Sequence, residues 1–310
     1  MGKYIGRRLL AAIPTVLGVC FIVFCMMYFS PYDPAREMGR INHLSAEQIA
    51  DLRVEMGLDR PFLVRLGNWF LGLARGDLGK SFVQRMPVTY MIGTRLWTTV
   101  ELALAGMFLA TVFGIVLGIL AAMKQNSLAD TTSMVVALLG SAMPDFWLAL
   151  MLIFLFSLTL GWLPTLGQGD LKHLIMPAFV VGLTEAGVIA RTVRSSLVEI
   201  MNEDYIRTAR AKGLRERLVV IRHGLRNALI PTVTIIGINM AAVLGGVVIV
   251  ETVFARDGIG RLMVDSVTFF DMPVVQGVVL LAALVFIFIN LAVDITYAFL
   301  DPRIRYESQR

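Results

Sequence analysis

Six stretches of this chain are too long and too apolar for an ordinary soluble core, four of them without a single charge. Leu9–Tyr32, Leu102–Met123, Asn227–Val250 and Met272–Val293 contain no Asp, Glu, Lys or Arg. Thr131–Pro144 and Phe146–Gly169 form one longer stretch interrupted by Asp145, and Leu174–Thr184 runs on past Glu185 to Ala190. A bilayer-crossing helix needs about 20 mainly apolar residues. The pattern predicts an all-α integral membrane protein with six transmembrane helices. Composition agrees: 57% of residues are apolar and 16% charged, against about 25% charged in soluble domains.

Between the first two apolar stretches the pattern turns amphipathic. Ser45 is placed to cap a helix with Gln48 at the capping-box position, and Gly57 to end it. Arg60-Pro61 then opens a second helical stretch with Leu63, Leu66, Phe70 and Leu73 on one face. Residues 33–96 therefore read as a small folded external segment. The remaining divisions are a tail and first span at 1–32, a five-helix core at 97–302 and a tail at 303–310. Gly114 and Gly118, and likewise Ala242 and Gly246, have the small-xxx-small spacing that allows close helix approach. Pro144 predicts a kink in the third span, and freed backbone there points to a cavity around Ala142–Phe146.

Charge fixes an expected orientation. Six crossings put both termini on one side, and the short loops on that side hold sixteen of the 28 Lys and Arg. The opposite short loops hold Lys172, Arg256 and Arg261, and the rest lie in the long external segment. The positive-inside bias makes both termini cytoplasmic. It also accounts for the net charge of +5 without nucleic acid. The basic start and first apolar run resemble a signal peptide, but the run's length and its lack of a small-x-small cleavage site predict an uncleaved first span. Cys20 and Cys25 read as small apolar helix residues.

One cytoplasmic segment concentrates the charge. Residues 191–229 carry nine Lys and Arg, with Glu199, Glu203 and Asp204 ahead of most of them. Its centre is Glu203, Asp204, Tyr205, Ile206, Arg207, Thr208, Ala209, Arg210, Ala211, Lys212 and Gly213. Gly213 separates two helical pieces, the second including Leu218, Val219, Ile221 and Leu225. Binding of anionic lipid would explain the charge. The helix–Gly–helix pattern suits docking into a partner protein.

Enzyme signatures are missing. Ala74–Ser81 fits only a loosened phosphate-loop pattern, with Ala74 where Gly is required and no strand expected before it. Three His without His-Glu-x-x-His, and no Gly-x-Ser-x-Gly, leave no metal or catalytic constellation. Intramembrane ionisable residues are costly and default to functional candidates. Glu101, Glu251 and Asp294 fall near span ends, where interfacial anchoring is an equal reading. Asp145 lies 15 residues past Asp130, about 22 Å of straight helix, and Glu185 is also at mid-depth. These two acids either line a polar path that receives an ammonium group or form an interhelical pair with Arg191 or a second subunit.

In sequence order the chain carries Arg7-Arg-Leu-Leu, Asp33-Pro-Ala, Gly57-Leu-Asp-Arg-Pro, Gly76-Asp-Leu-Gly, Gly161-Trp-Leu-Pro and His173-Leu-Ile-Met-Pro. Further on come Asp204-Tyr-Ile-Arg-Thr-Ala-Arg-Ala-Lys-Gly-Leu, Arg222-His-Gly-Leu-Arg-Asn-Ala-Leu-Ile-Pro, Val250-Glu-Thr-Val-Phe, Pro273-Val-Val-Gln-Gly and Leu300-Asp-Pro-Arg-Ile-Arg. Together these resemble the permease subunits of bacterial peptide-type ABC importers, the dipeptide, oligopeptide and nickel branch. Arg207-Thr208-Ala209 stands where the general permease pattern has Glu-Ala-Ala, Gly213 matches its Gly, and His223–Arg226 replaces Ile-x-Leu-Pro. Tyr32, Glu185 and Arg256-Asp257 depart from the branch's common residues.

The resemblance implies a type I importer permease in the bacterial inner membrane. Its partners would be a second related permease, two ATPase subunits that bind ATP and Mg, and an extracytoplasmic solute-binding protein. It assigns ATPase coupling to Glu203, Asp204, Tyr205, Arg207, Thr208, Ala209, Arg210 and Gly213, and implies no cofactor in this chain. Peptides, including glutathione, are the expected cargo, with nickel complexes or opines as alternatives. From other classes stand an ion-coupled secondary transporter using Asp145 and Glu185, and an adaptor with no path.

Overall fold

A computed structural model describes residues 2–31, 33–41 and 43–300. Tyr32, the 303–310 tail and the Asp294 side chain lie outside what it describes. The described residues form helices, no strand, and one isolated bridge between Lys80 and Pro87. In chain order the helices are α1 (Gly2–Tyr28), α2 (Pro34–Ile41), α3 (Ala46–Glu55), α4 (Phe62–Ala74), α5 (Val88–Met123), α6 (Leu128–Ala142) and α7 (Asp145–Leu152). Then come α8 (Leu171–Ile200), α9 (Asp204–Ala211), α10 (Glu216–Leu218), α11 (Leu225–Gly246), α12 (Val248–Val253), α13 (Ile259–Thr268) and α14 (Met272–Leu300). Wider π turns continue α7 over Ile153–Thr159 and join α10 to α11 over Val219–Gly224. Five helical segments are long and apolar enough to cross a bilayer, and α6 with α7 makes a sixth crossing when counted together. This is the expected six-span architecture.

The third span is not a kinked rod. α6 and the α7 segment meet at 101°. Met143 and Pro144 are extended, with ψ of 131° and 135°, and Pro144 has no N–H to continue the ladder. The 22 Å of straight helix expected between Asp130 and Asp145 does not exist. Two other spans differ from expectation. α5 begins at Val88, so its 36 residues reach about 54 Å, well beyond a bilayer core. The second helical piece after Gly213 is the start of the fifth span itself.

Contacts divide the chain into two compact units, Met1–Thr99 with Asp257–Ile287, and Val100–Arg256 with Phe288–Arg310. In the first unit, Ser45 and Gln48 make the expected capping box, and Gly57 ends the turn after α3 at φ +64°. α4 meets the end of α1 through rings, with Phe24–Trp69 centroids 5.7 Å and Tyr28–Phe62 4.9 Å apart. Leu63 points away, 76% exposed, so Phe62 and Trp69 replace it on the packed face. α13, which the pattern of apolar runs did not predict, buries Ile259 and Leu262 against Val88, Met91, Val274 and Val278.

Small residues set the second unit's core. A Cβ at Gly114 would stand 2.6 Å from Ile189, and one at Gly118 would stand 2.7 Å from the Ala190 carbonyl. Gly106 meets Val181 in the same way. The rows Gly106, Ala110, Gly114, Gly118 and Ala178, Gly182, Ala186, Ala190 repeat every four residues, so the two backbones approach along i±4 ridges. The expected close approach at Gly114 and Gly118 is present. Ala242 is exposed, and the packing at Gly246 lies outside what is described.

Candidate coupling segment and intramembrane acids

The segment centred on Glu203–Gly213 folds as a short helix clipped back onto the spans. Glu203 takes the extended N-cap conformation and Gly213 the left-handed one at φ +76°, where a side chain would be strained. α9 has eight residues, too few to be stable in isolation. It is held by Ile206 and Ala209, which are buried against Val219, Ile200, Met201 and Leu214. A neighbouring cluster continues inward through Leu197, Val220 and Ala228, touching Ile119 and Ala122. Packed side chains therefore lead without a gap from α9 to α8, α11 and the end of α5.

Polar contacts fix the turn after α9. The Arg210 guanidinium donates from Nε and Nη2 to the Glu216 carboxylate at 3.1 and 2.7 Å, closing the loop over Gly213. That carboxylate raises the Arg210 pKa from its ordinary value. Asn227 donates to the Tyr205 hydroxyl at 2.9 Å, and Arg207 lies 3.5 Å from Asp204 on the open surface. Glu203, Asp204, Tyr205, Arg207, Thr208 and Arg210 are exposed, while Ala209 is buried. The exposed face thus offers acids in the first turn and bases in the last, as the helix dipole favours.

The intramembrane acids are distributed differently from expectation. Asp145 begins α7 and accepts a hydrogen bond from the Thr184 hydroxyl at 2.9 Å. Ser141 donates to the Thr184 carbonyl at 2.9 Å. Asp145 is therefore tied to the residue just before Glu185, and the break after Ala142 gathers Ser141, Asp145, Thr184 and Glu185. Arg191 is exposed, and no ion pair joins it to either acid among the described residues. The interhelical ion pair is one residue turn away: Arg194 donates from Nε and Nη2 to the two Asp130 oxygens, both at 2.7 Å. The Asn126 N–H also donates to Asp130. A lone acid in a helix's first turn usually serves only its cap, so nothing local marks Asp130 as an ion-pair partner. Its partner 64 residues on was invisible to local pattern.

At the other end of these spans Arg256 is not a loop cation. It is 2% exposed and pairs with Glu101 at 2.8 Å, and Glu251 is fully buried. An ion pair therefore anchors Glu101. Ala74–Ser81 is no phosphate loop: α4 precedes it where a strand is needed, and the Ser81 hydroxyl is spent on Asp271.

This arrangement is that of a multi-span helical membrane protein with a short amphipathic helix clipped onto its spans. Residues 114–306 match the family described as binding-protein-dependent transport system inner membrane component, and residues 1–103 match that family's N-terminal region. The chain belongs to this family. As an inner-membrane component it is a multi-pass permease of a binding-protein-dependent transport system. It is 44% identical over 307 residues to the glutathione transport system permease protein GsiC of Salmonella choleraesuis (strain SC-B67), covering 99% of this chain and 100% of that protein. The proteins of that name from Pectobacterium atrosepticum and Escherichia coli (strain K12) are 44% and 43% identical over the same shares. The permease also shares its fold with a chain of the MetNI methionine ABC transporter in an inward-facing conformation, at TM-score 0.60 and 20% identity, over 69% of this chain and 97% of that one. A second crystal form of that transporter gives 0.56 at 22% identity, over 68% and 97%.

Proposed function

We propose that this permease forms half of the translocation path of an ATP-driven importer of glutathione or similar short peptides. A second related permease supplies the other half, and a solute-binding protein delivers cargo from outside. Two partner ATPases hold ATP and Mg and perform the hydrolysis. The observation that carries this reading is the 44% identity to a glutathione permease along that protein's entire length.

In this reading both termini are cytoplasmic, and α9 docks in the ATPase through its exposed face. Closure of the ATPases displaces α9. The packed side chains from Ile206 through Val219 to Leu197 and Ala228 carry that displacement into the spans. Asp145 and Glu185 line the path at the broken helix and receive the substrate's ammonium group. Glutathione and most peptides carry such a group, and a carboxylate at depth gives it a partner that water no longer supplies. Arg191, exposed on the same helix as Glu185 and nearer α9, extends the path toward the ATPase side.

Purification under mild detergent tests the assembly. The expected result is co-purification of a second permease and of Walker-containing ATPases. Recovery of this chain as a homo-oligomer without any ATPase, active in liposomes on an ion gradient, would replace the reading with a secondary transporter.

A further inference from the structure

The first unit contains a cavity of about 680 Å³ that the transport reading does not use. Its size is that of a small-molecule pocket. Five cations and three carboxylates line it, so its field is net positive. The carboxylates are already engaged, two of them with partners that also line the cavity. Asp33 pairs with Arg53 at 3.2 Å, Glu55 with Arg85 at 3.4 Å, and Asp77 accepts from the Gly79 N–H at 2.8 Å. No ion pair is formed by Arg60, Arg65 or Lys80 among the described residues. Arg65 stacks over the Tyr28 ring at 5.1 Å, and desolvation lowers its pKa from the ordinary value. A cation held partly away from water, with Asp59 near enough to favour its charge but forming no ion pair with it, carries a cost that an anionic ligand would relieve.

The walls say where the ligand comes from. α4 has two polar side chains in its thirteen residues, Arg65 and Asn68, and both line this cavity. The rest of α4 is apolar, with Leu63 and Leu71 76% and 57% exposed. α1 is likewise apolar and outward-facing, with Ile22 and Met26 57% and 71% exposed. Exposed apolar faces of this kind on two packed helices belong against lipid. Tyr28 and Trp69 sit at the cavity rim, the residue types that mark the membrane–water boundary. The cavity therefore opens at headgroup depth, beside apolar surface long enough for acyl chains.

We propose that the cavity bounded by Tyr28, Arg60, Arg65, Asn68, Trp69 and Lys80 holds the phosphodiester headgroup of an anionic phospholipid, with its acyl chains along the outer faces of α1 and α4. The guanidinium of Arg65 and the ends of Arg60 and Lys80 supply charge-assisted donors to phosphate. The bound lipid belongs to the leaflet on the side of residues 33–87.

The test uses the assembled transporter in nanodiscs of phosphatidylcholine, with phosphatidylglycerol titrated in and retained lipid read by native mass spectrometry. The combined R60Q and K80Q variant is expected to lose phosphatidylglycerol affinity roughly thirty-fold, from about a factor of five for each cation removed. The charge-preserving R60K and K80R variant is expected to keep it. Equal retention by the neutral variant and the unmodified protein overturns the site. Equal loss in the charge-preserving variant makes the effect structural and also overturns it. Competition by free glycerol phosphate at the lipid's own potency makes this a soluble-phosphate site, and competition by glutathione makes it a substrate site. Either result rejects the lipid.

Discussion

Shortening Ile206 to Ala probes the junction on which the coupling account depends. Ile206 is fully buried between α9 and the spans, and α9 is too short to persist without that contact. The substitution removes three carbons from water-excluded packing, about 2.4 kcal/mol at ~0.8 kcal/mol per group before any cavity cost. That weakens the docked geometry of α9 by roughly sixty-fold. Neighbouring spans keep their own contacts, so membrane insertion and complex assembly should survive. The assay is ATP hydrolysis and substrate uptake measured together in proteoliposomes containing the full complex. The account predicts that uptake per ATP hydrolysed falls at least tenfold. An Ile206→Val control, retaining most of the packing, should fall less than threefold. Unchanged uptake per ATP in Ile206→Ala, with normal complex yield, would refute the argument that α9 transmits force through its buried face.

Other substitutions test separate contacts. Gly213→Pro cannot adopt φ +76° and loses the N–H that bonds the Arg210 carbonyl, so transport should be lost while the protein still reaches the membrane, as read by uptake against membrane yield. Gly114→Leu forces a side chain into Ile189 at an approach already 2.6 Å for a Cβ. Overpacking of this kind costs about 1–3 kcal/mol, and a thermal-stability assay in detergent should show a lowered midpoint. Asp130→Asn leaves the Arg194 guanidinium without its bidentate partner and should lower the same midpoint, with Arg194→Ala in the same chain restoring part of it. Glu185→Gln should reduce uptake of peptides with a free amino terminus more than uptake of amine-blocked ones; equal reductions would count against an ammonium partner at that position.

What could be read from the chain alone was whatever depends on local spacing. The six apolar runs, the Ser45 capping box, the Gly57 stop, the Gly213 hinge and the close approach at Gly114 and Gly118 are all encoded within a few residues of one another. The failures share a different cause. Pro144 announced an interruption, but whether a proline bends a span slightly or turns it by 101° depends on neighbours that satisfy the freed backbone. Here Thr184 and Ser141, some forty residues apart in sequence, bind across the break. Arg256 looked like a loop cation because its partner Glu101 is 155 residues away. Asp130 and Arg194 pair across 64 residues of sequence, a separation that local spacing does not register. α13 escaped because an amphipathic helix of ten residues leaves too short an apolar run to register beside spans twice its length. Charge pairing and burial are tertiary properties. Helix identity in a membrane protein is largely set before them by the need to satisfy every backbone group within the segment.

In the proposed mechanism this permease moves substrate only when partner ATPases act on it through α9. Its most direct test is glutathione uptake into proteoliposomes that hold the permease pair with the ATPases, compared with the same pair without them, each with and without an ion gradient. The account predicts uptake that requires the ATPases, ATP and the solute-binding protein, and that ignores the gradient. Uptake by the permeases alone, driven by the gradient and abolished by Asp145→Asn or Glu185→Gln, would contradict it.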